Sequence, residues 1–464
     1  MSKRINSKAT GSFFFALLIV IGIISGVYPS THPEVADGTL NHGDLAWMLT
    51  ATALVLLMTP GLSFFYGGMV KTKNILSTML QSMVALGVVS LIWFTFGFSL
   101  CFGVSMGGWI GNPLSFAFFD NVGTAPHSSI ATGIPFMLFA AFQLKFAIIT
   151  PALITGSFAE RIRFWSYVVF MCLFTLLIYC PIAHWVWHPD GFLYKMGVLD
   201  FAGGAVIHLS AGIAALVGAI VLGRRKTHIE KENHNPSNIP YIILGTGLLW
   251  FGWFGFNAGS SLGANAQAIT ALLNTNMASA AAMVCWMLLD VINNKKPNAT
   301  GACIGAVVGL ATVTPAAGYI LPGFSILVGI IGCIASYLVV HWKNKSTIDD
   351  TLDVFPCHGV GGIVGMILTG VFAKDLGLVY GQTNLILAQI AAVLIIGVYS
   401  YALTYVILKI TNFITPLRVS AEDELLGLDL SQHDETALPE MPILSLIPVK
   451  PSKGLESNQH HLIN

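Results

Sequence analysis

The sequence predicts an all-α polytopic membrane protein with eleven transmembrane helices. Three observations support this prediction: 55% of the 464 residues are hydrophobic, only 9% are charged, and the apolar residues fall into eleven stretches of membrane-spanning length. A soluble domain carries about a quarter charged residues, so the composition argues against a water-soluble globule. It also argues against disorder, which needs low hydrophobicity and high charge. Lys+Arg and Asp+Glu both total 22, which gives no support to a nucleic-acid partner.

Each predicted helix corresponds to one apolar window with few charged residues, the pattern typical of a transmembrane segment. The eighth window is rich in glycine and is short for a spanning helix. In chain order the windows are 46–68, 78–102, 133–157, 166–187, 202–222, 240–259, 268–291, 299–316, 319–341, 356–373 and 384–409.

The charges of the loops predict the orientation of the helices. Cytoplasmic loops of membrane proteins carry an excess of Lys and Arg. One set of alternate loops holds fourteen such residues, whereas the other set holds only Lys195 and Lys374. We therefore expect the mature N-terminus outside and the C-terminal tail in the cytoplasm. The fourteen residues are Lys71, Lys73, Arg161, Arg163, Arg224, Arg225, Lys226, Lys231, Lys295, Lys296, Lys343, Lys345, Lys409 and Arg418.

The first thirty residues are predicted to be a signal peptide, with an uncleaved anchor as the alternative. Lys3, Arg4 and Lys8 precede an apolar run from Phe13 to Ile24, the order found in secretory signals. That run is short for a spanning helix, which needs about 20 residues, yet no small-x-small cleavage site follows it. The predicted parts are the signal peptide at 1–30, a membrane domain at 44–410, and a cytoplasmic regulatory tail at 411–464 that is partly disordered.

Three pairs of similar stretches occur in the same order in the two halves of the membrane domain. The matching windows are five apart, so equivalent helices must run in opposite directions. This arrangement is an inverted repeat of helices 1–5 and 6–10, and transporters of this kind place their site near the midplane where the repeats meet. The pairs are 64–68 with 254–259, Thr150-Pro151-Ala152 with Thr314-Pro315-Ala316, and His208 with Gly212 matching His358 with Gly362.

His208 and His358 are the strongest candidates for chemistry, because ionisable groups inside spanning helices are costly and these two occupy equivalent positions of the repeat. A pseudo-two-fold axis would bring them together, and a neutral imidazole has one donor and one acceptor. Two facing rings therefore share one proton without either being charged. Asp200, at the outer end of the fifth window, is predicted to cap that helix and to act electrostatically on an arriving cation.

Aromatic residues cluster where several windows end, among them Phe146, Trp187, Trp253 and Phe256. Faces of Trp and Phe bind desolvated cations, and Ser260 adds one hydroxyl acceptor. An aromatic cage with a single oxygen ligand suits ammonium. A potassium filter would need rings of carbonyls in a TVGYG-like loop, which the sequence lacks.

The motifs around these residues resemble the family of ammonium transporters, methylammonium permeases and Rhesus proteins, in its bacterial ammonium-transporter branch. The resemblance extends from about Asp44 to Leu428. The stretches that carry it are 60–68 (PGLSFFYGG), 158–164 (FAERIRF), 181–187 (PIAHWVW), 200–208 (DFAGGAVIH), 252–260 (GWFGFNAGS) and 353–362 (DVFPCHGVGG).

The resemblance implies a homotrimer in the inner membrane with a pore in each protomer, conducting ammonium or methylammonium. It implies no enzymatic activity, cofactor or metal site, and a role in nitrogen assimilation with a PII-type signal protein at the cytoplasmic face. The implied site residues are a recruitment site of Phe146, Trp187 and Ser260, a gate of Phe146 and Phe256, the pore histidines His208 and His358, the acid Asp200, and the pore-flanking Phe65, Tyr66 and Trp253.

Two further functions stay open as alternatives: a Rhesus-type gas channel and an ammonium sensor. The aromatic recruitment residues argue against a gas channel, and the short tail leaves no room for a signalling domain. A bis-histidine haem carrier would need further paired histidines. Lys145 departs from the expected pattern beside Phe146, and we expect its side chain to point away from the pore because a fixed cation there would repel the substrate.

Overall fold

The computed structural model describes residues 7–35, 40–232 and 235–437, and it is mostly helical. The helical segments, labelled in chain order, are α1 (Ser7–Val27), α2 (His42–Met69), α3 (Thr72–Phe102), α4 (Phe136–Phe158), α5 (Phe164–Lys195), α6 (Gly204–Leu222), α7 (Ile239–Gly259), α8 (Ala266–Ile292), α9 (Ala299–Val313), α10 (Pro322–Lys343), α11 (Phe355–Phe372), α12 (Asn384–Ile414), α13 (Ala421–Leu426) and α14 (Leu428–His433).

Helices occupy all eleven predicted windows, as α2 to α12. Ten of them are long and apolar enough to cross a membrane. The exception is α9, which lies in the glycine-rich eighth window and has 15 residues. At about 1.5 Å per residue it is shorter than the hydrocarbon core of a bilayer. The prediction of an all-α membrane protein is confirmed.

We call the end of the bundle that carries residues 103–135 the outer end and the end that carries residues 223–238 the inner end, following the predicted orientation. The outer connection from α3 to α4 contains two small antiparallel hairpins. They pair β1 (Ser105–Met106) with β2 (Ile110–Gly111) and β3 (Pro126–His127) with β4 (Ala131–Pro135). The inner connection from α6 to α7 has a short helix at Lys226–Ile229.

Equivalent helices of the two halves pack against each other. The first helices of the halves, α2 and α7, approach so closely that a Cβ added to Gly245 would lie 2.3 Å from the Phe65 nitrogen. The fifth helices, α6 and α11, cross where a Cβ at Gly212 would lie 2.2 Å from the Gly359 backbone. Small residues allow such close helix contact inside a membrane. This crossing lies at the centre of the bundle and positions the two predicted pore histidines.

The tail folds back onto the inner end of the bundle as far as it is described. The Asp429 carboxylate of α14 accepts hydrogen bonds from the Leu76 nitrogen at 3.0 Å and the Ser77 nitrogen at 2.8 Å. These N–H groups lie near the start of α3, where a carboxylate is favourable. Of the predicted tail, residues 438–464 lie outside the described residues.

Candidate functional site: an aromatic file and a pair of histidines

His208 and His358 face each other at the centre of the bundle. Their ring centroids are 5.2 Å apart and the ring planes differ by 16°. His208 lies in the first turns of α6 and His358 in the first turns of α11, and both of these segments are π-helical. A π-helical turn is rare and is frequent at functional sites. The structure therefore brings together the two histidines that the repeat predicts to be neighbours.

The imidazole nitrogens of this pair are buried but mostly unpaired. Within the described residues, both ring nitrogens of His208 and Nδ1 of His358 have no hydrogen-bond partner. Buried polar atoms normally have partners, so each exception calls for an explanation. Free donors and acceptors in an apolar passage are suited to a small polar molecule that carries both functions.

Asp200 holds the start of the helix that carries His208. Its two carboxylate oxygens accept four backbone N–H groups, those of residues 203–206, at 2.7–3.1 Å. The first N–H groups of a helix have no partner inside the helix, and here one buried carboxylate satisfies all four. Asp200 also contacts the vestibule described below through its carbonyl, which accepts a hydrogen bond from Trp187 Nε1 at 3.0 Å.

Asp350 has the equivalent place in the second half, and the sequence analysis did not identify it. Its carboxylate accepts a hydrogen bond from the Phe355 nitrogen at 2.7 Å. Asp350 lies eight residues before His358, just as Asp200 lies eight residues before His208. Lys343 Nζ donates to the Asp350 carbonyl at 2.7 Å. The repeated Asp-x7-His spacing is visible in the sequence and was sufficient to find this residue.

The predicted recruitment residues line one cavity at the outer end, which we call the vestibule. Phe146, Trp187 and Ser260 border this space of about 260 Å³. The rings of Phe146 and Trp187 stand nearly perpendicular, with centroids 6.0 Å apart. Ser260 Oγ donates to the Phe256 carbonyl at 2.8 Å, and its oxygen lone pairs remain available to a ligand. The polar residues here that were not identified from the sequence are Ser129, Gln143, Tyr194, Gln267 and Tyr319.

Between the vestibule and the histidines, stacked aromatic rings close the passage. The Phe146 and Phe256 rings are 4.3 Å apart and inclined by 27°. Phe256 lies 6.2 Å from the His208 ring, and Trp253 lies 5.3 Å from it on a nearly parallel plane. Trp253 is fixed because its Nε1 donates to Thr314 Oγ1 at 2.9 Å. The rings form a continuous file from the vestibule to the histidine pair.

On the inner side of the histidines, the passage is narrow. Phe65, Tyr66 and His358 border a space of about 10 Å³, close to the smallest volume that accommodates one water molecule. The Tyr66 hydroxyl donates to the Leu153 carbonyl at 3.0 Å. Phe65 and Tyr66, predicted to flank a pore, thus share this space with His358, whereas Trp253 lies on the other side of the pair, against His208.

Lys145 is not among the residues that border either of these two cavities. Its side chain is half-buried in α4, one residue before Phe146, the predicted gate residue. Adjacent helical residues are separated by about 100° around the axis, so the two side chains point in different directions. That the lysine avoids the pore stays a prediction.

A buried ion cluster fixes the inner loops next to Asp350. The Arg225 guanidinium forms salt bridges with Glu160 at 2.6 Å and with Asp349 at 2.8 Å. Burial alone would raise the pKa of Asp349, but Arg225 and Arg161 reverse this and hold that pKa below its usual range. Burial lowers the pKa of Arg161 to about 10, a value at which it still carries its charge near neutral pH. The cluster connects three loops around the start of α11.

A model of the Ammonium Transporter Family matches residues 46–438 of the chain. The chain belongs to the ammonium transporter family. It is therefore a multi-pass membrane protein and a transporter rather than an enzyme, and the resemblance identified from the sequence motifs is confirmed.

Similar proteins support this assignment. An ammonium transporter of Bacillus subtilis (strain 168) is 46% identical over 403 residues, covering 85% of this chain and 98% of the relative. The crystal structure of Candida albicans Mep2 has a TM-score of 0.79 and 33% identity, covering 89% of this chain and 95% of that one. A structure named Sensor Amt Protein has a TM-score of 0.78 and 29% identity, covering 84% of this chain and 98% of that one.

Proposed function

We propose that this transporter recruits ammonium in the vestibule, removes one proton near the gate, and conducts ammonia past His208 and His358 while the proton crosses separately. The observation that carries the proposal is the aromatic file that ends at two buried imidazoles with unpaired nitrogens. This arrangement combines a cation-binding surface, a dry barrier and a proton-sharing pair along one path.

Recruitment uses the faces of Phe146 and Trp187 together with the Ser260 hydroxyl. The cation–π interaction with such rings contributes about 2 kcal/mol to binding when the cation is desolvated. Ammonium also donates hydrogen bonds, and the Ser260 oxygen accepts one. The vestibule thereby concentrates ammonium at the outer side of the gate.

Ammonium has to lose a proton because moving the charged ion into the apolar passage beyond the gate is too costly. An unpaired ion in a low-dielectric passage pays a desolvation cost of tens of kcal/mol in the idealised limit. Neutral ammonia avoids that cost, so the stacked rings of Phe146 and Phe256 admit it once the proton has left. Potassium has no proton to lose and is rejected at the same place.

The histidine pair interacts with both products of deprotonation, ammonia and the proton. Ammonia donates and accepts hydrogen bonds, and the unpaired nitrogens of His208 and His358 offer both functions. The facing rings also share one proton, so a proton passes between them without two charged imidazoles. The net result is electrogenic movement of one ammonium equivalent.

Current recordings from proteoliposomes test this proposal. Ammonium pulses should give a current that potassium pulses do not, and His208→Ala and His358→Ala should each abolish the ammonium current. The matched control is His341→Ala, because the His341 ring lies at the end of α10 and bonds to the Tyr337 carbonyl at 2.9 Å. Unchanged ammonium current in either pore variant, with potassium still excluded, would contradict the role of the pair.

The same recordings separate the two alternative functions. A gas channel of the Rhesus type would give ammonia uptake without current. A sensor, suggested by the likeness to Sensor Amt Protein, would bind ammonium and show neither ammonia uptake nor current. Methylammonium uptake that competes with ammonium would support transport in both electrogenic and neutral cases.

We also propose that the protein forms a homotrimer in the inner membrane. In support, α8 and α10 present an apolar groove of about 570 Å³ toward the outside of the protomer, bordered by Val284, Leu288, Ile292, Ile326 and Ile330. A second copy would cover it. Native mass spectrometry should show three chains, and a monomer under conditions that retain transport would contradict this proposal.

We further propose that a PII-type signal protein regulates the transporter from its inner face and links it to nitrogen assimilation. The described tail helices α13 and α14 lie on that face, where Arg418 forms a salt bridge with Glu424 at 2.6 Å. A PII-type protein added to the inner side should block the ammonium current. Absence of both binding and block would exclude this regulation.

A further inference from the structure

A buried amide of α12 is hydrogen-bonded to the backbone of the vestibule. Gln389 is fully buried, and its Oε1 accepts a hydrogen bond from the Leu199 nitrogen at 3.1 Å, while its Nε2 donates to the Leu199 carbonyl at 2.7 Å. The two residues are 190 positions apart in the chain. Because the backbone of Leu199 offers one donor and one acceptor, it also fixes which end of the side-chain amide carries the oxygen. One side chain therefore holds both backbone polar groups of Leu199.

Leu199 belongs to residues 198–201, which we call the lip. The lip connects α5 to α6 without helix or strand structure, and all four of its residues border the vestibule. Buried backbone groups outside regular structure need partners from other parts of the chain. Gln389 supplies them at Leu199, and the Pro315 carbonyl accepts a hydrogen bond from the Phe201 nitrogen at 3.1 Å. The conformation of the lip thus depends on groups that other segments bring to it.

The lip is bonded directly to the tryptophan of the vestibule. Trp187 Nε1 donates to the Asp200 carbonyl at 3.0 Å, one residue after Leu199. The Trp187 ring stands nearly perpendicular to that of Phe146, with centroids 6.0 Å apart. Binding sites need their groups held to within about 0.5 Å of the productive geometry. A movement of Leu199 would reach the indole of Trp187 through a single peptide unit.

The second half of the repeat has a similar contact at the inner end. The residue before its acid is Asp349, and the Asp349 carbonyl accepts a hydrogen bond from the buried guanidinium of Arg161. In the first half the corresponding residue is Leu199, and its carbonyl accepts from Gln389. Each half therefore uses a buried side chain from another element to hold the residue that precedes the acid. The helix α12 follows both halves, so Gln389 connects a helix outside the repeat to the vestibule.

From these contacts we infer that Gln389 is a positioning residue for the recruitment site: it holds both backbone groups of Leu199, fixes the lip, and thereby sets the place of the Trp187 ring beside Phe146. The inference rests on the proposed recruitment of ammonium at Trp187. Gln389 itself is not among the described residues that border the vestibule. It therefore acts on ammonium binding through the lip and not by contact with the substrate.

The first test removes both hydrogen bonds while keeping the length of the side chain. Gln389→Met should raise the ammonium concentration for half-maximal current about threefold or more, with a smaller effect on the maximal current, because it disturbs binding through a coupled neighbour. Tyr399→Phe is the matched control on the same helix: it removes the hydrogen bond to the Leu177 carbonyl at 2.7 Å, away from the vestibule, and should leave that concentration unchanged. An equal shift in both variants, or none in Gln389→Met, would overturn the inference.

A double-mutant cycle with Trp187→Ala tests the route of the effect. If Gln389 acts by placing the Trp187 ring, the double variant should match Trp187→Ala in half-saturating concentration within about twofold. Shifts that multiply would mean that Gln389 acts elsewhere, which would overturn the inference. No shift in Trp187→Ala would overturn both the recruitment proposal and this inference. A shift in Trp187→Ala without one in Gln389→Met would overturn this inference alone.

Hydrogen exchange measured by mass spectrometry gives a test that does not depend on recovering a folded variant. In the unaltered protein the peptide that contains the lip should exchange slowly, because the Leu199 and Phe201 nitrogens are hydrogen-bonded. In Gln389→Met the same peptide should exchange faster than in Tyr399→Phe. Exchange of the lip in the unaltered protein at the rate of an unstructured peptide would show that Gln389 does not hold it, and the inference would fail.

Discussion

The outer and inner parts of the pore are built from equivalent helices but differ in what they offer a substrate. The outer vestibule has a volume of about 260 Å³ and borders Gln143, Asp200 and Ser260, whereas the inner space is about 10 Å³ and is mostly apolar. The starts of α6 and α11, which are related by the repeat, thus border spaces of different size and polarity. Under the proposed mechanism, this difference places selection on the outer side and leaves the inner side to pass on a molecule already chosen.

The same comparison holds for the two acids that start the pore helices. Asp200 accepts the N–H groups of four successive residues, at 2.7–3.1 Å. Asp350 accepts the N–H of Phe355 at 2.7 Å, and its Oδ1 atom is buried with no hydrogen-bond partner among the described residues. One repeat element therefore carries a complete cap and the other a partial cap.

The largest expected effect comes from removing these caps. Asp200→Ala leaves four buried N–H groups without a partner, each at a cost of about 1–3 kcal/mol. We expect it to prevent recovery of folded protein, whereas Asp350→Ala should give folded protein with a lower Tm. Size-exclusion chromatography and thermal unfolding in one detergent compare the two. Asp200→Asn, which keeps one carbonyl oxygen, should fall between them, and equal damage by the two Ala variants would refute the contrast.

The next effect concerns recruitment at the vestibule. Trp187→Ala removes a ring face from the vestibule and should raise the ammonium concentration for half-maximal current about tenfold, as expected for a loss near 1.4 kcal/mol. Trp185→Ala is the matched control, because Trp185 does not border the vestibule and its Nε1 donates to the Trp109 carbonyl at 2.6 Å. The comparison with a buried neighbour separates loss of binding from loss of packing. A similar shift in both variants would point to packing.

A smaller effect is expected at the single hydroxyl of the recruitment site. Ser260→Ala should raise the half-saturating ammonium concentration about two- to threefold, since one neutral hydrogen bond contributes about 0.5–1 kcal/mol. Ser261→Ala offers the control: Ser261 Oγ donates to the Ala258 carbonyl at 2.8 Å and does not border the vestibule. Dose-response curves of the current measure both. If neither variant shifted the curve, the hydroxyl would have no part in recruitment.

Much of this arrangement could be predicted from the sequence. The facing of His208 and His358 could be predicted from a duplicated motif in costly positions. The opposite direction of the two halves stays a prediction that rests on the odd number of intervening helices. The residues of the gate and vestibule came from the family resemblance, because aromatic residues at helix ends are common and their composition alone does not distinguish a gate from an interfacial belt.

Other features depend on contacts that sequence spacing does not encode. Tyr194, Gln267 and Tyr319 reach the vestibule from three separate segments, so no local pattern connects them. Arg225 pairs with Glu160 and Asp349 across inner loops that are distant in the chain. Asp350 is different: its spacing to His358 repeats that of Asp200 to His208, and only a comparison of the two halves residue by residue reveals it.

The smallest expected effect lies on the inner side, at Tyr66. Tyr66→Phe removes the hydrogen bond to the Leu153 carbonyl and should lower the Tm slightly. The half-saturating ammonium concentration should stay unchanged and the maximal current should remain within about twofold, because under the proposed mechanism the inner space contributes no substrate binding. Tyr167→Phe is the matched control, since the Tyr167 hydroxyl donates to the Pro151 carbonyl at 3.2 Å and does not border the inner space.

The two tyrosine variants decide whether the division between the outer and inner parts is real. Both remove a buried hydroxyl from a carbonyl of α4, so their effects on stability should be alike, and any difference in transport arises from the position of Tyr66 beside His358. A loss of maximal current in Tyr66→Phe alone would assign the inner space to the passage step. A shift of its half-saturating concentration as large as that of Trp187→Ala would instead mean that substrate is also selected on the inner side, and the contrast between the two parts of the pore would fail.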